Sequence, residues 1–328
     1  MDSLLFSLGA VAPIIAMVLL GYFLKQIGWM DAIFAKNANR LVFRVFMPVM
    51  LFLNIYRIED VGSMEFGYIW YVVAMLIVIF LVSIPAVLAV ARKKDRCGSL
   101  LQATFRSGYS LIGIPLAESL YGKEGAIAAT FLSAAVIPLF NVLAVISLSV
   151  FNEGETKTSV KRIIIDILKN PLILGIEAGL LALGIRSLLG SAGIDFRLSD
   201  ITPLMSILQY ISNLAIPTAL LVLGAQFELS AVSSLRREIV FGTVVRTVIV
   251  PVVAIGIAFL FFADTFTKAN FATFVSVFAT PVAVTTVPMA QEMGGDVTLA
   301  GQLVVWSTLV SALSVFLAAF LLRVAGLL

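Results

Sequence analysis

Two stretches of this sequence place polar and helix-breaking residues inside otherwise apolar runs. The first is Phe105-Arg106-Ser107-Gly108-Tyr109-Ser110-Leu111-Ile112-Gly113-Ile114-Pro115-Leu116; the second holds Thr280-Pro281 and, a little later, Thr285-Thr286-Val287-Pro288. A proline removes a backbone donor and clashes with the turn before it. Each stretch is therefore expected to interrupt its helix, at Pro115 in the first and at Pro281 and Pro288 in the second. Amide ends freed in this way carry partial positive charge and can hold an anion. Gly108, Tyr109, Ser110, Gly113, Ile114 and Pro115 form one arm of a candidate substrate site, and Thr280, Pro281, Thr285, Thr286 and Pro288 the other. The plain alternative is that the prolines merely kink two packed helices.

Other polar residues in apolar surroundings extend the set. Arg246 lies about nine residues, roughly 13 Å, into its run. A charge at that depth is costly unless it faces a partner or water, so it reads as a counter-charge for a carboxylate, or as half of a permanent structural pair. Arg106, on the arm leading into the first interruption, is either an anion contact or a vestibule charge, and Arg44 reads as structural. Asn141 offers an uncharged hydrogen bond to the same site; the threonines do too, unless they bond their own backbone. Glu177 is a buried acid that could carry a coupling proton, with an ion pair as the simpler reading; Glu118 and Gln291 could touch a solute or a cation, or simply face water.

What is missing narrows the chemistry. The chain has no histidine and a single cysteine, Cys97, so Ser-His-Asp catalysis, histidine metal sites, intrachain disulfides and cysteine clusters are excluded. No metal site, no enzyme and no ATP-driven engine is expected: Gly122 to Gly125 has no Walker lysine, and Gly294-Gly295 reads as a helix end. No cofactor is called for beyond a possible coupling proton or sodium ion.

The elements that must position these residues follow from composition. Of 328 residues 61% are apolar and 12% charged, with mean hydropathy +1.09. A soluble protein carries about a quarter charged residues, and a helix needs about 20 apolar residues per crossing, so this chain can cross a bilayer about ten times. Ten runs are found: 4–24, 39–56, 67–91, 98–121, 125–151, 170–190, 203–227, 238–263, 269–292 and 297–322. The first has no basic leader region and no convincing cleavage site, and is read as a retained helix. With residue 1 outside, the inner side holds 13 basic residues: Lys25, Lys36, Arg40, Arg92, Lys93, Lys94, Arg96, Lys157, Lys161, Arg162, Lys169, Arg236 and Arg237. Six lie outside (Arg57, Lys123, Arg186, Arg197, Lys268 and Arg323), so both termini are expected outside. The pI near 9 thus reflects topology rather than nucleic-acid binding. Residues 1–151 form one five-helix unit, 152–169 an inner linker with an interfacial helix at 159–165, and 170–328 a second unit.

Five is odd, so the second unit must be inverted. Ile114-Pro115-Leu116-Ala117-Glu118 matches Val287-Pro288-Met289-Ala290-Gln291 at a spacing of 173. Pro48-Val49-Met50-Leu51 matches Pro217-Thr218-Ala219-Leu220 at a spacing of 169, and Pro13 with Gly21 matches Pro171 with Gly179 at 158. The fold class expected is all-α integral membrane: ten helices in two inverted five-helix repeats, with broken helices 4 and 9. Inverted repeats mark secondary transporters with a midplane site.

The motif Phe105 to Leu116, ending in Leu120-Tyr121-Gly122, resembles the fourth-span motif of the auxin efflux carrier family, and Pro281 followed by Met289-Ala290-Gln291-Glu292 is similar to its ninth. The likeness covers the whole chain. Many members have Asn where Gly108 stands. The resemblance implies crossing of helices 4 and 9, a scaffold part (helices 1, 2, 6 and 7), a transport part (helices 3–5 and 8–10), a homodimer and an elevator motion. Plant members export auxin; the prokaryotic members with short linkers, which this chain resembles in length, include carriers assigned to malate, malonate and similar organic anions. The function expected is thus a secondary carrier of small organic anions, such as dicarboxylates or other carboxylates, in the cell membrane. The alternative is a channel or a receptor-like solute sensor on a transporter fold. Steady conductance would mark a channel and saturable counterflow a carrier.

Overall fold

The computed structural model describes residues 2–58, 66–91, 93–151, 164–165 and 167–328. In lipid only a helix satisfies its own backbone within one segment, and the described residues are helical apart from turns, loops and one isolated bridge. The elements are α1 (Asp2–Gln26), α2 (Ala32–Tyr56), α3 (Phe66–Val90), α4 (Lys94–Phe105) and α5 (Tyr109–Val150). They continue with α6 (Pro171–Ser191), α7 (Thr202–Gln226), α8 (Ala231–Phe262), α9 (Lys268–Phe278), α10 (Thr286–Glu292) and α11 (Val297–Val324). The expected interfacial helix at 159–165 lies almost wholly outside the described residues.

Among the described residues, seven helices are long and apolar enough to cross a bilayer: α2, α3, α5, α6, α7, α8 and α11; Ala12–Gln26 of α1 adds a shorter apolar stretch. The predicted fourth and ninth runs are not single helices. The ninth divides into α9 and α10, and the fourth into α4 and the start of α5. α5 spans 42 residues, about 63 Å if straight, or twice a hydrocarbon core. It is not straight: Tyr121 and Gly122 leave helical geometry, Gly122 with φ of 57°, and divide it into 109–120 and 123–150. Two predicted starts, at 39 and 238, come early in the structure, at Ala32 and Ala231. Lys36, Arg236 and Arg237 lie just before these two apolar runs, and the helices begin ahead of them. Polar caps begin several elements, with Asp31 accepting from the amide of Phe34, Asn170 from Leu172 and Asp296 from Leu299. Large apolar side chains such as Leu188, Leu260 and Phe261 remain over 70% exposed, as a lipid-facing surface requires.

Three π-helical turns, Val42–Phe46, Tyr109–Gly113 and Val245–Ile249, each end two residues before a proline: Pro48, Pro115 and Pro251. A proline rejects the carbonyl four residues back. In each case that residue, Arg44, Leu111 or Thr247, lies inside the wider π turn. Pro115 is therefore absorbed rather than breaking its helix, and Pro288 sits in the first turn of α10, where no donor is missed. The first interruption falls earlier than expected, at 106–108; the second, at 279–285, contains the expected break at Pro281 but not that at Pro288.

Two pairings dominate one half of the packing: α1 on α7, and α6 on the last turns of α2. Gly21 approaches α7 so closely that a Cβ would meet the Leu221 carbonyl oxygen at 2.0 Å, and a Cβ on Gly179 would meet that of Phe52 at 3.0 Å. In the other half α9 packs on α5, and α8 on α11. Arg96 of α4 ties this half together, pairing with Glu238 of α8 at 2.9 Å and with Asp296, the cap of α11, at 3.3 Å.

Candidate functional site at the crossing of the broken helices

The two interruptions meet. Gly108 donates its amide to the Pro281 carbonyl at 2.7 Å, Ala283 donates to the Arg106 carbonyl at 3.3 Å, and Ser107 and Val282 form an antiparallel bridge. A short extended ladder thus replaces the missing helical bonds, which extended backbone at bilayer depth demands. Val282 donates its amide to the Ser307 hydroxyl of α11 at 3.0 Å, fixing the second strand from behind.

Two cavities flank the ladder, each of about 20 Å³, room for about one water. The first is lined by Arg106, Ser107, Ser110, Asn141, Ala283 and Thr285, and is walled by Met47, Met50 and Leu51 of α2. The second is lined by Gly108, Ser110, Pro281, Val282 and Thr285, with Ile14 of α1, Ile216 of α7 and Thr308 of α11. Ser110, Ala283 and Thr285 border both. The hydroxyls of Ser107 and Thr286 are buried without a hydrogen-bond partner.

Arg106 is 3% exposed. Its Nη2 donates to Asn141 Oδ1 at 2.9 Å and its Nη1 to Gln102 Oε1 at 3.1 Å, with the Met289 sulfur alongside. Asn141 is held in turn by its own amide, which donates to the Ile137 carbonyl at 2.8 Å. Among the described residues no carboxylate pairs with Arg106. The site therefore holds a fixed positive charge with neutral oxygens around it.

Arg246 is placed differently. It is fully buried and borders neither cavity. Its three nitrogens donate to the carbonyls of Thr280 at 2.9 Å, Phe105 at 3.1 Å and Val277 at 2.6 Å. Phe105 is the last residue of α4, Val277 lies in the last turn of α9 and Thr280 just past it. Arg246 thus caps two helix C-termini at once, where the partial charge is negative. Of the two readings of Arg246, this arrangement fits the structural one.

Of the other predicted residues, Gly108, Ser110, Asn141, Pro281 and Thr285 come together at the cavities. Tyr109 and Gly113 instead pack on each other: the ring would lie 2.3 Å from a Cβ on Gly113, and the phenol donates to the Ala129 carbonyl at 2.6 Å. Ile114, Pro115, Thr280, Thr286 and Pro288 border neither cavity, and Thr280, just past α9, donates its hydroxyl to the Ser276 carbonyl of α9. Glu177 lies on α6, away from the crossing, and no carboxylate cluster among the described residues could hold a metal. Sequence reasoning missed Ser107 as a lining group, although it lay in the quoted motif, and missed the methionine wall of α2.

The far end of α10 is fastened to α2 and α7. Gln226 donates to Gln291 Oε1 at 2.8 Å, Gln291 donates to the Lys36 carbonyl at 3.2 Å, and Glu292 pairs with Arg44 at 3.2 Å and Arg40 at 3.8 Å. At the opposite end, Ser110, Pro115, Glu118 and Ser119 of α5 are exposed.

Comparison with known proteins gives this geometry its class. The model of the membrane transport protein family matches residues 6–318. An uncharacterized transporter of Methanothermobacter thermautotrophicus is 27% identical over 309 residues, covering 93% of this chain and 94% of that protein. An uncharacterized transporter of Methanocaldococcus jannaschii is 27% identical over 225 residues, or 65% of this chain and 67% of its own length. A helical chain with lipid-facing surfaces and a polar crossing at its centre accordingly belongs to the membrane transport protein family, the family of the auxin efflux carriers.

Proposed function

We propose that this protein is a secondary carrier of small organic anions, dicarboxylates or other carboxylates, working by alternating access. The observation that carries this reading is Arg106: a buried guanidinium without a carboxylate partner, on a cavity edged by Ser107, Ser110, Asn141 and Thr285. An uncompensated charge at bilayer depth is costly, and a solute carboxylate offsets that cost while it is bound. The start of α5 and the turn leading into α10 bring helix N-termini to the same place, which favour an anion.

The reading includes ten crossings in two inverted repeats. Four observations support it. The ladder centres on Gly108 and Pro281, which are themselves partners at the spacing of 173. Gly21 against Leu221 repeats as Gly179 against Phe52, at the spacings of 158 and 169. Each interrupted element is a pair of half-length helices. The packing falls into one group of α1, α2, α6 and α7 and another around α4, α5, α8, α9 and α11, which fit a scaffold and a transport part moving as an elevator. A homodimer in the cell membrane with outside termini completes the proposal. Gradients of solute, ion or potential drive it.

Counterflow in proteoliposomes tests the central claim. Labelled dicarboxylates, monocarboxylates and their uncharged amides are offered to the wild type and to Arg106→Gln. Net hydrogen bonds to a charged group are worth about 1.5–3 kcal/mol, so carboxylate transport should fall about ten- to 150-fold while insertion and yield hold. An equal loss for the uncharged amides would remove Arg106 from anion binding.

A further inference from the structure

The fastened end of α10 has a counterpart at the other mouth that is unfastened. At the spacing of 173, Gln291 corresponds to Glu118 and Glu292 to Ser119. At the spacing of 169, Gln226 corresponds to Arg57, Arg40 to Gln209 and Arg44 to Asn213. Each of the five residues whose side chains pair in the closed latch, Gln226, Gln291, Glu292, Arg40 and Arg44, therefore has a partner at the opposite end, and each of these partners is polar. Their present arrangement differs. Glu118 is exposed, and among the described residues nothing bonds its side chain. Arg57 donates to Gln209, and Gln209 donates to Asn213 at 2.5 Å, so the scaffold partners hold one another.

We propose that Glu118 and Arg57 form the latch of this second mouth, pairing in the alternate conformation in which Gln291 and Glu292 have let go of α2 and α7. The inference rests on the carrier reading above, since only a molecule that closes its mouths in turn has a state in which the pair forms. The chemistry suits it. The Gln226–Gln291 amide pair is replaced by an arginine and a carboxylate, and Ser119 faces amides where Glu292 faces arginines. One mouth is thus closed by a carboxylate of the mobile helix on two arginines, and the other by a carboxylate of the mobile helix on one. Opening one mouth frees charged groups while closing the other covers them, which keeps the two states close in free energy. Arg57 has a neutral partner to rest on in the meantime.

A charge-reversal cycle tests the pair. Glu118→Arg and Arg57→Glu each place like charges together when the second mouth closes, and counterflow of a labelled dicarboxylate should slow by about three- to tenfold in each. The double variant Glu118→Arg/Arg57→Glu should return to within about twofold of wild type. Because either variant could fold poorly, a disulfide gives a second measurement. In protein carrying Cys97→Ser, Glu118→Cys and Arg57→Cys should cross-link on oxidation, faster when solute is present, and cross-linking should arrest counterflow. A reporter at Ala290→Cys, buried in this conformation, should then become reactive from the side where Gln291 is released. Wild-type counterflow with neither charge rescue nor cross-linking would overturn the latch and leave the carrier reading standing. Steady conductance without saturable counterflow in the wild type would overturn both.

Discussion

Arg106 and Arg246 are two buried arginines with different kinds of partner. Neither meets a carboxylate. Arg106 spends its donors on side-chain oxygens at the rim of a cavity, where a solute oxygen can join or replace them. Arg246 spends all three nitrogens on main-chain carbonyls that no other group satisfies in the same way. Substituting it leaves buried acceptors unpaired, at about 1–3 kcal/mol each. Arg246→Gln should therefore lower thermal stability and yield, and depress transport of charged and uncharged solutes alike. Thermal unfolding in detergent, alongside counterflow with a carboxylate and its amide, separates this from Arg106→Gln. Full stability with a loss confined to carboxylates would return Arg246 to the solute. Depth in the sequence identified both residues as unusual. It could not tell them apart, because which group an arginine faces is decided by elements 30 or more residues distant.

At the scale of elements, apolar runs were a reliable guide to where helices lie, since lipid leaves the backbone no other economical choice. They were a poor guide to where helices stop. Prolines suggested breaks at Pro115, Pro281 and Pro288; the chain does break around Pro281, whereas a π turn absorbs Pro115 and a first turn tolerates Pro288. The true interruptions carry Gly108 and Pro281, whose pairing is a long-range contact that no local pattern encodes. The close helix pairs were legible in part. Gly21 and Gly179 stood out as repeat partners, and the structure shows why each is glycine: a backbone carbonyl of the opposite helix occupies the place of a side chain. Gly21→Ala forces α1 off α7, and Gly179→Ala crowds Phe52 and Ile55 of α2. Overpacking of this kind costs about 1–3 kcal/mol, and the larger loss is expected at Gly21, whose carbonyl neighbour is nearer. Gly184→Ala on the same α6 as Gly179 meets nothing within 4 Å and should be neutral. Three unfolding curves suffice, and an equal shift for Gly184→Ala would sink the close-packing account.

For the whole molecule the decisive quantity is the number of crossings, because seven long helices and ten crossings give different sidedness. α4 holds 12 residues and the first part of α5 another 12 or so, each about 18 Å long and short of a 30 Å hydrocarbon core. Joined end to end through 106–108 they span it; taken separately, neither does. If the pair crosses, Lys94 and Lys123 lie on opposite sides of the membrane. The same argument places Lys268, the first residue of α9, opposite Gly294, just beyond α10. In the proposed orientation, which rests on the excess of basic residues, Lys94 and Gly294 lie inside and Lys123 and Lys268 outside. Single cysteines at these four positions in a Cys97→Ser background, treated in intact cells with a membrane-impermeant maleimide, read the answer directly. Lys123→Cys and Lys268→Cys should react from outside, and Lys94→Cys and Gly294→Cys only after permeabilisation. Reaction of Lys94→Cys and Lys123→Cys from one and the same side would mean that the broken element re-enters instead of crossing. The second unit would then have no reason to be inverted, and the symmetry linking Gly108 to Pro281 and Glu118 to Gln291 would lose its physical basis.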